Sequence, residues 1–291
     1  MKKEYNTTVA FFFVFLGFMC CFDAGQGFAA DDWLSVGEKS LVAYPEDPEI
    51  VARGIERAQA AGVSAHEVMA ILSRSAGATV SAGDFAELVN RMTLIRQGDL
   101  PLQPFTDKIM EGLAKKVPPP LILSVLDTKM AVYRDANELV SKVIKKAGGD
   151  RALPAVAMAV ERGVSVDGFR TLYASGKKSA DVVFHSAHAV ADLYGMGFSE
   201  SQSIRIAGAG MAAGYFRTDH SRLVQMTARA KKSGRSHEEI ANTLASGLRK
   251  GNSMSDIGRN LYGPRGVGNG GGGFGGSIGH GSGGKGAGGR R

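Results

Sequence analysis

The sequence predicts an all-α protein, an irregular array of antiparallel helix hairpins stacked as a short solenoid or bundle, followed by a disordered glycine-rich tail. Three observations carry that expectation. Between Glu49 and Tyr262 apolar residues recur at helical spacing, as in Phe85, Leu88, Val89, Met92 and Ile95, which places them on one stripe of a helix. A short punctuation of Gly, one residue and Ser recurs between such runs. No useful length of chain alternates apolar with polar residues as a half-buried strand would. The 291 residues are 44% hydrophobic, enough to bury a core and to exclude global disorder. A single Trp argues against a carbohydrate platform built on many Trp side chains.

Residues 1–30 read as a secretory signal peptide. Lys2 and Lys3 give a basic start, Val9–Phe22 is a nearly unbroken apolar run, and small residues follow up to Ala29 and Ala30, the expected cleavage end. The run is shorter than the roughly 20 apolar residues a spanning helix needs. Cys20 and Cys21 close it, but Phe18 and Met19 precede them where a lipoprotein signal has a small residue, which speaks against lipidation. Cleavage removes both cysteines, so the mature chain would have neither disulfide nor thiolate chemistry. No later stretch is long and apolar enough to cross a bilayer. Export to the periplasm or extracellular space follows as the expected localisation.

Residues 31–48, with Pro45, Asp47 and Pro48, read as a polar linker. The helical array is expected over 49–262, with about a dozen helices. Four corners share one form: AAGVSAHE at 60–67, ERGVSVDG at 161–168, GMGFSESQ at 195–202 and KSGRSHEE at 232–239. Gly62, Gly163, Gly197 and Gly234 suit the left-handed residue that closes a helix. Ser64, Ser165, Ser199 and Ser236 suit the N-cap of the next. Glu67, Gln202 and Glu239 would complete capping boxes. The last three glycines are spaced at the length of one helical-hairpin repeat.

A different corner is expected at 108–127, KIMEGLAKKVPPPLILSVLD. There Pro118–Pro120 would end one helix and start another, because proline suits a first turn. This stretch of about twenty residues resembles a motif in uncharacterised exported bacterial helical-repeat proteins. The resemblance implies a shared helical corner and no activity. Tetratricopeptide-type arrays are similar in architecture alone, since their Trp, Tyr and Pro signature positions are not reproduced.

Most catalytic motifs fail on context. Gly275-Gly276-Ser277-Ile278-Gly279 matches a nucleophile elbow, but lies in a tract with 16 Gly among residues 263–291, which cannot form the strained strand-to-helix turn. Ile204–Gly210, running on to Gly214, resembles a strand entering a dinucleotide loop, yet no βαβ unit surrounds it. The Ser199–Gln202 pair predicts a helix start there, with Gly208, Gly210 and Gly214 allowing close approach of a neighbour. His66-Glu67 and His237-Glu238 lack the second His of a zinc-protease helix.

One constellation remains. Asp181, His185, His188 and Asp192 fall at i, i+4, i+7 and i+11, a narrow polar stripe opposite Val183, Ala187, Val190 and Tyr194. Imidazole and carboxylate suit a divalent transition metal. A straight helix presents two adjacent ligands well, so another helix must contribute, and Asp219–His220 is the candidate. The bland alternative is a solvated face with Asp–His pairing. No cofactor is the leading expectation and a divalent transition metal the alternative.

Charge sits unevenly. The formal net charge is +7. The tail from Gly263 carries Arg265, Lys285, Arg290 and Arg291 without an acid, and reads as either a passive solvating segment or a weak contact to a polyanion. The leading functional expectation is an exported non-catalytic interaction or structural protein of the bacterial envelope or extracellular space. Its partner would be a protein or an anionic envelope component rather than nucleic acid. The alternative is a cell-wall-acting or metal-dependent enzyme whose site only the fold assembles.

Overall fold

The computed structural model describes residues 30–144, 151–218 and 220–262, and among them thirteen α-helices and one 3-10 turn account for the regular structure. The expected signal peptide and glycine-rich tail lie outside the described residues. The first correction concerns the expected linker. Residues Ala30–Ala43 form a helix, α1, and only Tyr44–Asp47 make the bend before α2, Pro48–Ala60. Trp33, Val36, Ser40 and Tyr44 are buried along one side of this segment, and the Tyr44 ring lies 5.4 Å from that of Phe85. The stripe is faint in the sequence because only Trp33, Val36 and Tyr44 mark it as apolar and Glu38 and Lys39 fall among them.

The remaining helices are α3 Ala65–Gly77, α4 Ala82–Gln97, α5 Gln103–Ala114, α6 Pro119–Val143, α7 Ala152–Glu161 and α8 Val166–Tyr173. Then come α9 Ala180–Gly195, α10 Glu200–Ala212, the 3-10 turn Tyr215–Arg217, α11 Ser221–Lys232, α12 His237–Arg249 and α13 Met254–Tyr262. Packing follows a solenoid rule. Helices touch their neighbour and the helix two places on: α1 packs on α3, α2 on α4, α3 on α5, α4 on α6, α8 on α10, α9 on α11, α10 on α12 and α11 on α13. The 25-residue α6 packs on α4 and α5 before it and on α7 and α8 after it, so it joins the two halves. The apolar stripes face this interior. Phe85, Leu88, Val89, Met92 and Ile95 are buried, as are Ile122, Leu126, Met130 and Tyr133, and Ile240, Leu244 and Leu248.

One device makes the corners. The helix ends with a residue at positive φ, and the N–H of the following residue donates back to the carbonyl five positions earlier, as in a Schellman closure. Val63 donates to Ala58, Val164 to Ala159, Phe198 to Leu193 and Arg235 to Ala230, behind Gly62, Gly163, Gly197 and Gly234. Ser64, Ser165, Ser199 and Ser236 cap the next helices, and the Ser64, Ser199 and Ser236 boxes are complete. The same closure also occurs where no glycine marks it. Thr79, Asp99 and Lys116 have φ of 54°, 52° and 55°, with Val80 donating to Ser75, Leu100 to Ile95 and Val117 to Gly112. The last of these is the expected proline corner, and α6 starts on Pro119.

Polar contacts between hairpins repeat at the same interval. Arg91 pairs with Asp127, Lys129 with Glu161, and Arg162 with Asp192. Glu200 accepts from the backbone N–H and hydroxyl of Ser165, and Glu238 from Gln202 and Arg205. These contacts span 30–36 residues, one hairpin of chain. They are surface contacts, individually weak in water and weakened further by salt, and their regular spacing aligns one repeat on the next.

Candidate functional site: histidines between two repeats

The polar stripe of α9 meets the start of α11. Ser179 caps α9 by accepting from the Val182 N–H, which sets the register of everything downstream. Val183, Ala187 and Val190 are buried on the inner face and Tyr194 is half-buried, so the stripe of Asp181, His185, His188 and Asp192 is turned away from the core. Of these four, Asp181 is exposed in the first turn. His185, His188 and Asp192 lie near His220, which precedes α11 in the chain.

The geometry is close. His185 Nδ1 is 3.1 Å from His220 Nδ1, so one ring donates its proton to the other. The His188 ring stacks on that of His220 at 5.2 Å with a 19° tilt. Asp192 Oδ2 is 3.9 Å from His220 Nε2, and its other oxygen pairs with Arg162 at 3.3 Å. Phe184 sets its ring edge-on to both His185 and His188, while the Arg151 guanidinium sits 4.4 Å above Phe184. Burial holds the His188 pKa below the ordinary histidine value, with the neighbouring His220 acting in the same direction and Asp192 opposing. His188 is therefore disposed to stay neutral.

Among the described residues no three His, Cys, Asp or Glu side chains are arranged to hold a metal ion. Two nitrogens, on His185 and His220, come together, so of the Asp219–His220 pair it is His220 that is seen to meet the stripe. Asp219 itself lies outside the described residues, as do the tail cations Arg265, Lys285, Arg290 and Arg291. Arg162 was not foreseen at this site. It is separated from Asp192 by 30 residues, and the hairpin interval read from the corner glycines is the signal that could have paired them.

The other sequence motifs resolve into helix architecture. Ile204–Gly210 lies within α10 behind the Ser199 cap and is not a strand. A Cβ on Gly210 would stand 2.6 Å from the Phe216 ring, so this glycine admits the 3-10 turn. Glu67 and Glu239 close capping boxes, and the His237 ring packs on Phe198 at 4.5 Å. Glu67 thus serves a helix start, and His237 with Glu238 joins one corner to the next.

No protein-family model, no curated protein and no solved structure matches the chain.

Proposed function

We propose that this chain is an exported, non-catalytic binding scaffold of the bacterial envelope or extracellular space, holding a protein or an anionic envelope component. One observation supports the reading above others: hairpins stacked by contacts between helices one and two places apart, an arrangement that offers a long continuous surface and suits extended partners. The capping serines and hairpin-to-hairpin ion pairs keep that surface in register. The histidine cluster contributes to it as a junction between repeats, where three rings and Arg162–Asp192 hold α9 against the α11 segment. No helix among the described residues is long and apolar enough to cross a membrane.

The test is to incubate the purified chain with an isolated envelope fraction and with purified cell-wall polymer. A scaffold retains a component at fixed stoichiometry and releases nothing soluble. Progressive release of sugars or peptides, abolished by His185→Ala or His220→Ala, would overturn this reading in favour of an enzyme.

A further inference from the structure

The two ends of the array carry opposite charge. Residues 31–60, which supply α1 and α2, hold seven acids and three bases. Glu46, Asp47 and Glu49 cluster at the bend between these helices, and all three are exposed. Beside them stand Val42 and Ile50, with 83% and 39% of their surface exposed. The ion pairs among the described residues begin at Glu87–Arg91, so none neutralises this end.

Residues 217–262, which supply α11 to α13, hold nine bases and four acids. Three of those acids are already engaged: Glu238 with Gln202 and Arg205, Glu239 with Ser236 and Arg235, and Asp256 with Ser253 and Arg259. Lys231 is committed to the Met196 carbonyl oxygen. Arg229, Lys232, Arg249 and Lys250 are exposed and have no carboxylate partner among the described residues. Tyr262 donates to the Met226 carbonyl, which brings the end of α13 against α11, and the four cations of 263–291 follow it in the chain.

We propose that the chain associates head to tail with a second copy of itself, the acidic α1–α2 end of one docking on the basic α11–α13 end of the next. The occupant follows from charge complementarity. Each end is the other's counterpart, and among the described residues α1 and α13 are the terminal helices of the array, with a neighbour on one side only. Val42 and Ile50, on either side of the bend in the chain, add exposed apolar surface to this acidic stretch, and apolar surface beside charge suits a docking patch. Because the two surfaces differ, the contact is heterologous. Unless the rotation closes a ring, it propagates into a filament. The inference concerns self-assembly, and stands whether or not the scaffold holds the partner proposed above.

A charge swap tests it by sedimentation velocity over a range of protein concentrations. At about 0.01 M salt the purified chain should show mass-dependent growth beyond monomer, and at about 0.15 M far less, as the Debye length falls from about 30 Å to about 8 Å. The acid-end variant Glu46→Lys with Asp47→Lys, and the basic-end variant Arg229→Glu with Lys232→Glu, should each stay monomeric, because each loses most of the net charge at one of its two ends. Their equimolar mixture should associate again, through the unaltered basic end of the first and the unaltered acidic end of the second. Circular dichroism checks that each variant keeps its helices, and Gln in place of each reversal serves where a variant does not. A parent chain that remains monomeric at low salt, single variants that assemble like the parent, or a mixture that fails to assemble would each overturn the proposal.

Discussion

Replacing Gly163 by valine probes the closure that shapes the whole array. Gly163 sits at φ +101°, past the left-handed well near +57° that other residues visit. Left-handed backbone costs an L-residue about 1–2 kcal/mol. A β-carbon there would also stand 3.3 Å from the Tyr194 hydroxyl and 3.4 Å from its ring, so a half-buried ring must shift by tenths of an ångström. Opposing this, any side chain lowers the entropy of the unfolded chain, worth about 0.4–1 kcal/mol. The balance is a loss of about 1 kcal/mol for Gly163→Ala and about 2 kcal/mol for Gly163→Val, whose branch tolerates that backbone least. Gly234→Ala isolates the backbone part, because at φ +83° nothing lies within 4 Å of its added carbon. Urea melts followed by circular dichroism report the whole array, and the fluorescence of Trp33, the single tryptophan, reports its first helix. We expect Gly163→Val to lose more than Gly163→Ala, and both to lose at least as much as Gly234→Ala. If all three variants melt with the parent chain, the positive-φ closures do not hold the corners and the reasoning fails.

Four further outcomes are expected. Thr79→Gly should stabilise by about 0.5–1 kcal/mol, since a β-branched residue at φ 54° carries strain that outweighs the entropy a glycine adds; a loss in the same melt would contradict this. Gly210→Ala should cost about 1–3 kcal/mol by overpacking Phe216, whereas Gly208→Ala, whose carbon meets Leu172 at 3.7 Å, should gain about 0.5–1 kcal/mol of helix propensity; equal effects would discredit the close-approach argument. Because the His188 pKa is depressed in the fold, the unfolded chain binds that proton more readily. Stability should therefore be fully present above pH 6.5, the ordinary histidine value, and fall as pH drops through the lower folded value. His188→Gln should flatten that part of the profile, and an unchanged slope would assign it to other groups. Lastly, N-terminal sequencing of the secreted chain should begin near Asp31, and recovery of Met1 or of a lipidated cysteine refutes the signal reading.

Corners were legible to the extent that local chemistry wrote them. Gly62, Gly163, Gly197 and Gly234 announced themselves because glycine takes a left-handed conformation at no steric cost, and each was followed by a capping serine. Thr79 and Asp99 perform the same closure and stayed hidden, because neither is the glycine that usually marks a left-handed residue; at Lys116 the prolines that follow marked the corner instead. The helix over Ala30–Ala43 was missed for a related reason. Trp33, Val36 and Tyr44 are too few to signal a stripe among acids and prolines, and they become a buried face only once α3 and α4 lie beneath them.

The sequence by itself determined the fold class, the stripes, the capping boxes and the length of one hairpin. The stripes and caps depend on neighbours a few positions apart, where geometry is local, and the hairpin length follows from the recurrence of those local corners. Only tertiary structure decided which hairpins meet. It set His220 on His185 and His188, Arg162 on Asp192, and Glu200 across the Ser165 cap. It also brought the acids of α1–α2 and the cations of α11–α13 to opposite ends of one array. Those pairings lie 30 or more residues apart and depend on how each apolar stripe packs on the next, a property that no short window of chain contains.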